Sequence, residues 1–301
     1  MSLNLLLSYA FHEKSDLRRV RDLMPCGRLM VDSGAFTAYT KGRTVDIKAY
    51  AEFLETWRGC WDHAITLDVI GDPAATRANT RYLHQRGLPV LPVFTRGDTL
   101  AEFDAMLRDV PYICVGGLVG MTRDHQLPRV ALLQQRAAHQ GGGIHALGVA
   151  SIPILRQARP YSADSSSVSS GFQYGTVTVW TGQLLKTINI KTVPKLRSIR
   201  SELVAHGFPL STIIDQRKMP GGQHRWTIMA AGATAFACAD EYLRRQYPSA
   251  GLAGGTYLYN VAIQQNDARA MAGQDRVLHE NPPPIWRTAG RHHICEREVA
   301  A

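Results

Sequence analysis

The chain has 301 residues, of which 45% are hydrophobic and 20% are charged. This composition is that of a globular protein, and the length allows either one α/β barrel or two ordinary domains. There is no apolar run of the length that a membrane-spanning helix needs. The 34 Lys and Arg residues outnumber the 25 Asp and Glu residues and give a net charge of +9. A polyanionic partner is therefore plausible.

The first apolar stretch and the cysteines bear on the cellular compartment. Residues 3–7 lack the basic segment and the cleavage site of a secretory leader, so we interpret them as a first strand. The cysteines are scattered, which predicts neither a disulfide framework nor a zinc knuckle and favours a reducing cytoplasm. They are Cys26, Cys60, Cys114, Cys238 and Cys295.

Short apolar strands alternate with helical patterns along most of the chain. Strands are predicted at 3–7, 28–33, 63–69, 89–94, 112–118, 144–149, 161–165 and 176–180. Helices are predicted at 46–57, 72–87, from 99 onward, 128–140, 152–159, 193–206 and 225–246. A doubly wound sheet would show the same alternation, but the Gly-x-Gly-x-x-Gly fingerprint does not follow the first strand.

We therefore expect an α/β fold with a (βα)8 TIM-type barrel. The predicted barrel is a single catalytic domain over residues 1–250, with a basic insertion at 186–225. Residues 251–301 are predicted to form a C-terminal extension, and the proline-containing tail from about residue 281 to be extended or disordered.

Three carboxylates follow predicted barrel strands. Asp32, Asp68 and Asp164 lie at the ends of the second, third and seventh strands. Reactive groups of barrels sit at the C-terminal ends of strands, and charges there are costly to bury unless they are paired or used. Each Asp alone could cap a helix or form a turn, but three at equivalent places favour one shared pocket.

Two other strand ends are rich in glycine, at residues 115–120 and 147–149. They are typical either of tight turns or of a slot where a planar ring lies against bare backbone. Phe36, in Asp32-Ser33-Gly34-Ala35-Phe36, would cover such a ring. Ionised carboxylates only accept hydrogen bonds, whereas the N1–H and 2-amino group of guanine only donate. The pattern therefore indicates a pocket for a heterocycle such as guanine.

These residues resemble motifs of the tRNA-guanine transglycosylase (queuine/archaeosine tRNA-ribosyltransferase) superfamily, in the same order. Asp-Ser-Gly-Ala-Phe is similar to the family's Asp-Ser-Gly-Gly-aromatic motif. It is followed by Leu67-Asp68, by 112–120 (similar to Val-Gly-Gly-Leu), by 146–150 (similar to Met-Gly-Val-Gly) and by Asp164. The run 188–191 resembles Leu-Asn-Leu-Lys. The resemblance covers roughly residues 28 to 195.

The resemblance implies base exchange at a nucleic-acid glycosidic bond. It makes Asp164 the nucleophile that attacks C1′ and Asp32 the general acid/base. It also implies a set of base-binding residues: Asp68, Phe36, Ser33, Gly116, Gly117, Leu118 and Gly148. No cofactor is implied beyond a free 7-deazaguanine base as co-substrate.

The chain departs from the tRNA enzymes at three places. Residues 93–97 read Val-Phe-Thr-Arg-Gly and lack the glutamine of the family's Val-Gln-Gly segment. The Cys-x-Cys-x-x-Cys cluster of the zinc subdomain is missing, so no metal is expected there. Whether His292, His293 and Cys295 hold a metal is left open. Residues 164–167 read Asp-Ser-Ser-Ser, as in the DpdA-type DNA-guanine transglycosylases of phages and bacterial genomic islands.

The interpretation is therefore a DNA-guanine transglycosylase of the cytoplasm (the host cytoplasm if phage-encoded) that inserts a base such as preQ0. Six basic residues are expected to contact the nucleic acid: Lys186, Lys191, Lys195, Arg217, Lys218 and Arg225. Part of this basic face could also be simply solvated. The alternatives are a zinc-less tRNA-guanine transglycosylase, a non-catalytic nucleic-acid-binding barrel subunit, and a barrel enzyme acting on a small metabolite.

Overall fold

The computed structural model describes residues 2–214 and 223–281. The strands are β1 (Asn4–Ser8), β2 (Leu29–Asp32), β3 (His63–Ile65), β4 (Val90–Leu91), β5 (Val93–Phe94), β6 (Tyr112–Val115), β7 (Gly143–Ala146), β8 (Ser162–Ser165), β9 (Thr176–Trp180), β10 (Leu185–Asn189) and β11 (Tyr257–Ala262).

The helices before the seventh barrel strand are α1 (Tyr9–His12), α2 (Leu17–Asp22), α3 (Ala35–Thr40), α4 (Ile47–Thr56), α5 (Pro73–Gln85), α6 (Leu100–Asp109), α7 (Arg123–His139) and α8 (Ile152–Ala158). After that strand come α9 (Ser167–Gln173), α10 (Val193–Arg197), α11 (Arg200–Ala205), α12 (Leu210–Ile214), α13 (Gln223–Gln246) and α14 (Gln265–Glu280). None of the helices in this described part combines the length and apolar character needed to cross a bilayer.

Nine strands form one parallel sheet in the order β4-β3-β2-β1-β11-β8-β7-β6-β5. Its two outermost strands, β4 and β5, are separated in the chain by Pro92 alone. β4 pairs with β3, whereas β5 pairs with β6. The two ends of the sheet therefore meet at one residue, and the sheet is a nearly closed barrel, compatible with a TIM-type barrel.

Side chains alternate between the inside of this barrel and the layer under the helices, as the period of two in a strand requires. In β1, Leu5 and Leu7 pack in the large cluster between sheet and helices, whereas Leu6 packs in a smaller inner cluster. The buried members of the inner cluster are Leu6, Met30, Ile65, Leu91, Val93, Tyr112, Cys114 and Tyr259. They fill the barrel, so polar groups next to them lie in a poorly solvated interior.

The prediction that residues 176–180 form the eighth barrel strand was wrong. Residues 176–180 form β9, which pairs antiparallel with β10 in a separate two-stranded sheet. Their Thr-Val-Thr-Val-Trp alternation is typical of a half-exposed antiparallel strand, whereas parallel barrel strands read as continuous apolar runs. The missing barrel strand is β11, which lies parallel between β1 and β8.

The barrel-like sheet therefore extends past residue 250, into the part that was expected to be an extension. β11 and α14 complete it, and α14 packs against β1, β11 and α2. Asp275 of α14 accepts hydrogen bonds from the backbone N–H groups of Leu3 and Gly27, at 2.7 and 3.0 Å. Residues 282–301, where the tail was predicted, lie outside the described residues.

Residues 176–214 form a small unit between α9 and α13, and they share a second hydrophobic cluster with α13. The buried members of this cluster are Val177, Val179, Ile188, Ile190, Leu196, Ile199, Leu203, Ile213, Ile228 and Ala231. The helix predicted over 193–206 is divided into α10 and α11. We call residues 176–214 the insert. Because it connects the C-terminal end of a barrel strand to the next long helix, it belongs to the face of the barrel where strands end.

Candidate active site

The three predicted aspartates lie at the C-terminal ends of their strands. Asp32 is the last residue of β2, Asp164 lies in β8, and Asp68 follows β3. β2 and β8 flank the central pair β1 and β11, and β3 lies beside β2. The strand positions alone therefore direct the three carboxylates to one end of the barrel.

A tight turn holds Asp32 in place. The Oδ2 atom of Asp32 accepts a hydrogen bond from the Gly34 backbone N–H at 2.9 Å. Gly34 has a φ of 76°, and a Cβ atom there would lie 2.4 Å from the Ser8 Oγ and 2.6 Å from the Ala10 Cβ. Only glycine fits this position, and it begins α3 directly after the carboxylate.

Asp68 and Asp164 are close enough to Asp32 to affect its ionisation. Burial, then the charge of Asp68 and, more weakly, that of Asp164 raise the pKa of Asp32 to about 7, against a hydrogen bond from Gly34 that lowers it. Burial raises the pKa of Asp68 to about 6. Burial and the charges of all three aspartates also raise the pKa of the Cys114 thiol, inside the barrel. The site therefore holds a carboxyl group that exchanges protons near neutral pH.

Asp164 is anchored by a buried histidine that the sequence reasoning missed. Its Oδ1 atom accepts a hydrogen bond from the Gly148 N–H at 2.7 Å and lies 3.2 Å from the His145 Nε2. The other ring nitrogen of His145, Nδ1, contacts the Ser162 hydroxyl, which also contacts the Tyr112 hydroxyl. A chain of polar groups thus runs through the barrel interior to Asp164.

One arrangement of protons satisfies every member of this chain. The Tyr112 hydroxyl donates to Ser162, Ser162 donates to the His145 Nδ1, and the His145 Nε2–H donates to Asp164. Oδ1 then has two donors, from His145 and Gly148. Among the backbone groups and side chains that the structure describes, none donates a hydrogen bond to Oδ2. Oδ2 is therefore the oxygen of Asp164 that is available for chemistry.

The inward-facing position of His145 could have been predicted from the alternation of residues along its strand. His145 is the polar residue of the short Gly-Ile-His-Ala strand, at an inward-facing position. The ring of Tyr259 packs edge-on against it, at 5.8 Å between centroids. A histidine in such a strand is most often a core residue whose hydrogen bonds are satisfied by its neighbours. Only its contact with Asp164 distinguishes His145 from a histidine of that kind.

The predicted base-binding residues lie around the same end of the barrel, but two of their side chains point elsewhere. Ser33 is fully buried, and its hydroxyl accepts a hydrogen bond from the Ala35 N–H at 3.3 Å. Leu118 is fully buried in the cluster beneath the helices. Phe36, in contrast, is 53% exposed at the start of α3.

The glycines expected to line the slot are sterically constrained. Gly117 and Gly148 have φ values of 68° and 71°. A Cβ on Gly117 would lie 2.8 Å from the Arg96 Cγ, and one on Gly148 would lie 2.6 Å from the Val119 Cγ2. Gly116 is buried, with its N–H bonded to the Phe94 carbonyl at 2.9 Å. Larger residues at Gly117 and Gly148 would displace these neighbours.

The predicted nucleic-acid residues are only partly within the described residues. Lys186, Lys191 and Lys195 are exposed on the insert. Arg217 and Lys218 lie outside the described residues, as does the side chain of Arg225. The possible metal ligands His292, His293 and Cys295 also lie outside them. Within the described ranges, no three His, Cys, Asp or Glu residues are grouped to hold a metal ion.

A cavity of about 210 Å³ lies elsewhere, on the outside of the barrel between α5 and α6. Arg77, His84, Met106 and Asp109 are among its lining residues, and none of the three aspartates is.

Comparison of the chain with models of protein families gives no match, and comparison with curated proteins gives no match either.

Proposed function

We propose that the protein is a DNA-guanine transglycosylase that exchanges guanine in DNA for a 7-deazaguanine base in the cytoplasm. The observation that carries this proposal is the convergence of Asp32, Asp68 and Asp164 at one end of the barrel-like sheet. The raised pKa of Asp32 supports it, because base exchange needs a carboxyl group that transfers protons near neutral pH. The resemblance in residues 28–195 supplies the substrate class.

In the proposed first step, the Oδ2 of Asp164 attacks C1′ of the target nucleotide. The bond from C1′ to N9 of guanine breaks, and its electron pair leaves with the base. Protonated Asp32 donates a proton to the departing guanine. The product is a covalent glycosyl ester of Asp164.

In the proposed second step, ionised Asp32 removes the N9 proton of the incoming 7-deazaguanine. N9 attacks C1′, the ester bond breaks, and Asp164 is released as a carboxylate. Asp32 ends protonated, ready for the next cycle. One group thus transfers one proton in each direction, which a pKa of about 7 allows.

We propose that the remaining site residues hold the base. Asp68 would accept hydrogen bonds from the donor edge of the purine. Phe36 would stack on the purine ring, since about half of the Phe36 side chain is exposed. The target nucleotide has to leave the helix stack to reach the site, so the exposed lysines of the insert would hold the flanking backbone. We further propose that β4 and β5 act as one strand, which makes the fold a (βα)8 barrel.

The test is incorporation of a labelled 7-deazaguanine by the purified protein, with duplex DNA and tRNA offered in parallel. We expect label in DNA, and none with Asp164→Asn. Asp109→Asn, an exposed substitution at the opposite end of the barrel, is the matched control and should incorporate label normally.

Label in tRNA alone would identify a zinc-less tRNA enzyme instead. DNA binding without label in either substrate would identify a non-catalytic subunit. Either result would overturn the proposal.

A further inference from the structure

Two arginines lie near the C-terminal ends of the neighbouring strands β5 and β6, Arg96 against Gly117 and Arg129 over the ring of Phe94. Arg96 lies in the turn after β5, and Arg129 lies in α7, which follows the neighbouring strand β6. β5 and β6 pair through Phe94 and Val115, so the segments that leave them are adjacent. Both arginines therefore belong to the face that carries Asp32, Asp68 and Asp164.

The turn that carries Arg96 is tied down, which fixes the position of this arginine. Asp98 accepts hydrogen bonds from the N–H and the hydroxyl of Thr95, at 2.8 and 3.0 Å, and pairs with Arg77. Asp98 is thus already engaged and does not neutralise Arg96. The Arg96 Nε donates to the Gly117 carbonyl at 3.0 Å, which leaves its two terminal nitrogens available.

Arg129 lies in a less solvated place than Arg96. Its guanidinium carbon is 5.7 Å from the centroid of the Phe94 ring, and its Nε is enclosed without a hydrogen-bond partner. Burial and the positive charge of Arg96 hold the pKa of Arg129 below its usual value. In the part of the chain that the structure describes, no carboxylate forms an ion pair with either arginine.

The partly buried Arg129 has lost solvation beside a second cation, and an anion bound between the two arginines would offset that cost. A planar carboxylate matches one guanidinium fork, whereas the tetrahedral oxygens of a phosphate can be shared by two forks that approach from different elements. From this geometry we infer a phosphate-binding subsite between Arg96 and Arg129. It goes beyond the base-exchange chemistry, because it assigns a ligand group to residues that the reaction does not use.

The phosphate could belong to a polynucleotide backbone or be a free phosphate, and two measurements distinguish these sources. The first is the affinity of the protein for an oligonucleotide, measured by fluorescence anisotropy over a range of salt concentrations without added base. Each lost phosphate contact should lower the slope of log K against log salt by about 1. We therefore expect a lower slope for Arg96→Gln and for Arg129→Gln.

The matched control is Arg108→Gln, which removes the same charge from an exposed position near the end of α6, at the opposite end of the barrel. Its slope should equal that of the wild type. If Arg129→Gln fails to fold because it loses its contact with Phe94, Arg129→Lys keeps the charge without the planar fork. That variant should bind more weakly with an unchanged slope.

The second measurement is thermal unfolding in sodium phosphate against sodium chloride of equal ionic strength. Phosphate should raise the melting temperature of the wild type. The rise should be smaller for Arg96→Gln, which should still fold because Arg96 is exposed. If phosphate stabilises the protein but the protein binds no oligonucleotide, the phosphate-binding subsite is supported and the proposed DNA substrate is wrong. If neither the slope nor the stabilisation depends on Arg96 and Arg129, the subsite is overturned.

Discussion

The contact between His145 and Asp164 gives the two oxygens of that carboxylate different surroundings. Oδ1 is held by His145 and Gly148, whereas Oδ2 has no hydrogen-bond donor among the described groups. A nucleophile held by one oxygen attacks along a defined direction, which lowers the entropic part of the barrier. In this account His145 is a positioning residue and does not touch the substrate.

Replacing His145 by Asn should slow base exchange by about 100-fold, the effect of displacing a reacting group by about 1 Å. Because positioning affects the chemical step, kcat should fall and KM should change little. The matched control is His63→Asn, a half-buried histidine in β3 whose ring packs against Tyr112. Equal losses for the two variants, or a loss confined to KM, would contradict the role of His145.

The raised pKa of Asp32 also affects folding, with a sign that follows from proton binding. The folded-state pKa is about 7 and the ordinary value is 3.8, so the folded protein binds more protons than the unfolded chain between these pH values. The contribution of Asp32 to stability is complete below about pH 4 and is lost as the pH rises through 7. Above pH 7 an ionised, poorly solvated carboxylate remains, at a cost in stability.

Asp32→Asn should therefore unfold at a higher denaturant concentration than the wild type at pH 8, by roughly 2–4 kcal/mol in free energy of unfolding. At pH 5 the difference should shrink, because the wild-type carboxyl is then protonated. Equilibrium unfolding at the two pH values measures this, with Asp109→Asn as the exposed control. A difference that is equal at both pH values would show that the ionisation of Asp32 is not its cause.

Helix α14 connects the C-terminal part of the chain to the first strands of the barrel-like sheet through hydrogen bonds. Asp275 is fully buried and accepts from the backbone N–H groups of Leu3, Cys26 and Gly27. Those donors lie at the start of β1 and just before β2. A single carboxylate thus ties the C-terminal part of the chain to the beginning of the barrel.

Asp275→Ala should lower the free energy of unfolding by about 3 kcal/mol or more, since each buried donor left without a partner costs about 1–3 kcal/mol. Chemical denaturation measures the loss. Glu280→Ala, at the exposed end of the same helix, should stay within about 0.5 kcal/mol of the wild type. A loss below about 1 kcal/mol for Asp275→Ala would mean that solvent reaches these N–H groups.

Eight of the nine strands of the barrel-like sheet lie in seven predicted runs, which were recognisable as short segments followed by turn signals. The helix caps at Asp46, Asp72 and Thr99 were predictable for the same local reason. β11 was not, because its sequence contains Asn260 and two tyrosines and resembles an amphipathic segment. Its place in the sheet depends on contacts with β1 and β8, which are far away in sequence.

The candidate site also has a part that could be predicted from the sequence and a part that could not. The three aspartates were predictable from their positions after strands, and the structure brings them together. The chain from Tyr112 through Ser162 to His145 was not, because its members come from three strands and meet only inside the closed sheet. No local pattern specifies a contact of that kind.

In the whole molecule, positive charge is concentrated in the insert, which connects a barrel strand to α13 at the mouth. Lys186→Gln combined with Lys191→Gln should weaken oligonucleotide binding and lower the salt slope by about 2, since each phosphate contact contributes about 0.9. Arg58→Gln combined with Arg108→Gln removes the same charge at the opposite end and should leave the slope unchanged. Equal effects of the two pairs would indicate that only net charge matters.

The proposed base exchange requires that Asp164 form a covalent bond to the sugar of a target nucleotide. Its most direct test is incubation with a guanine-containing oligonucleotide, denaturation, and mapping of the adduct by mass spectrometry of peptides. We expect an adduct on Asp164 that is lost in Asp164→Asn and is discharged when a free 7-deazaguanine base is added. An adduct on Asp32, or base exchange that continues in Asp164→Asn, would contradict it.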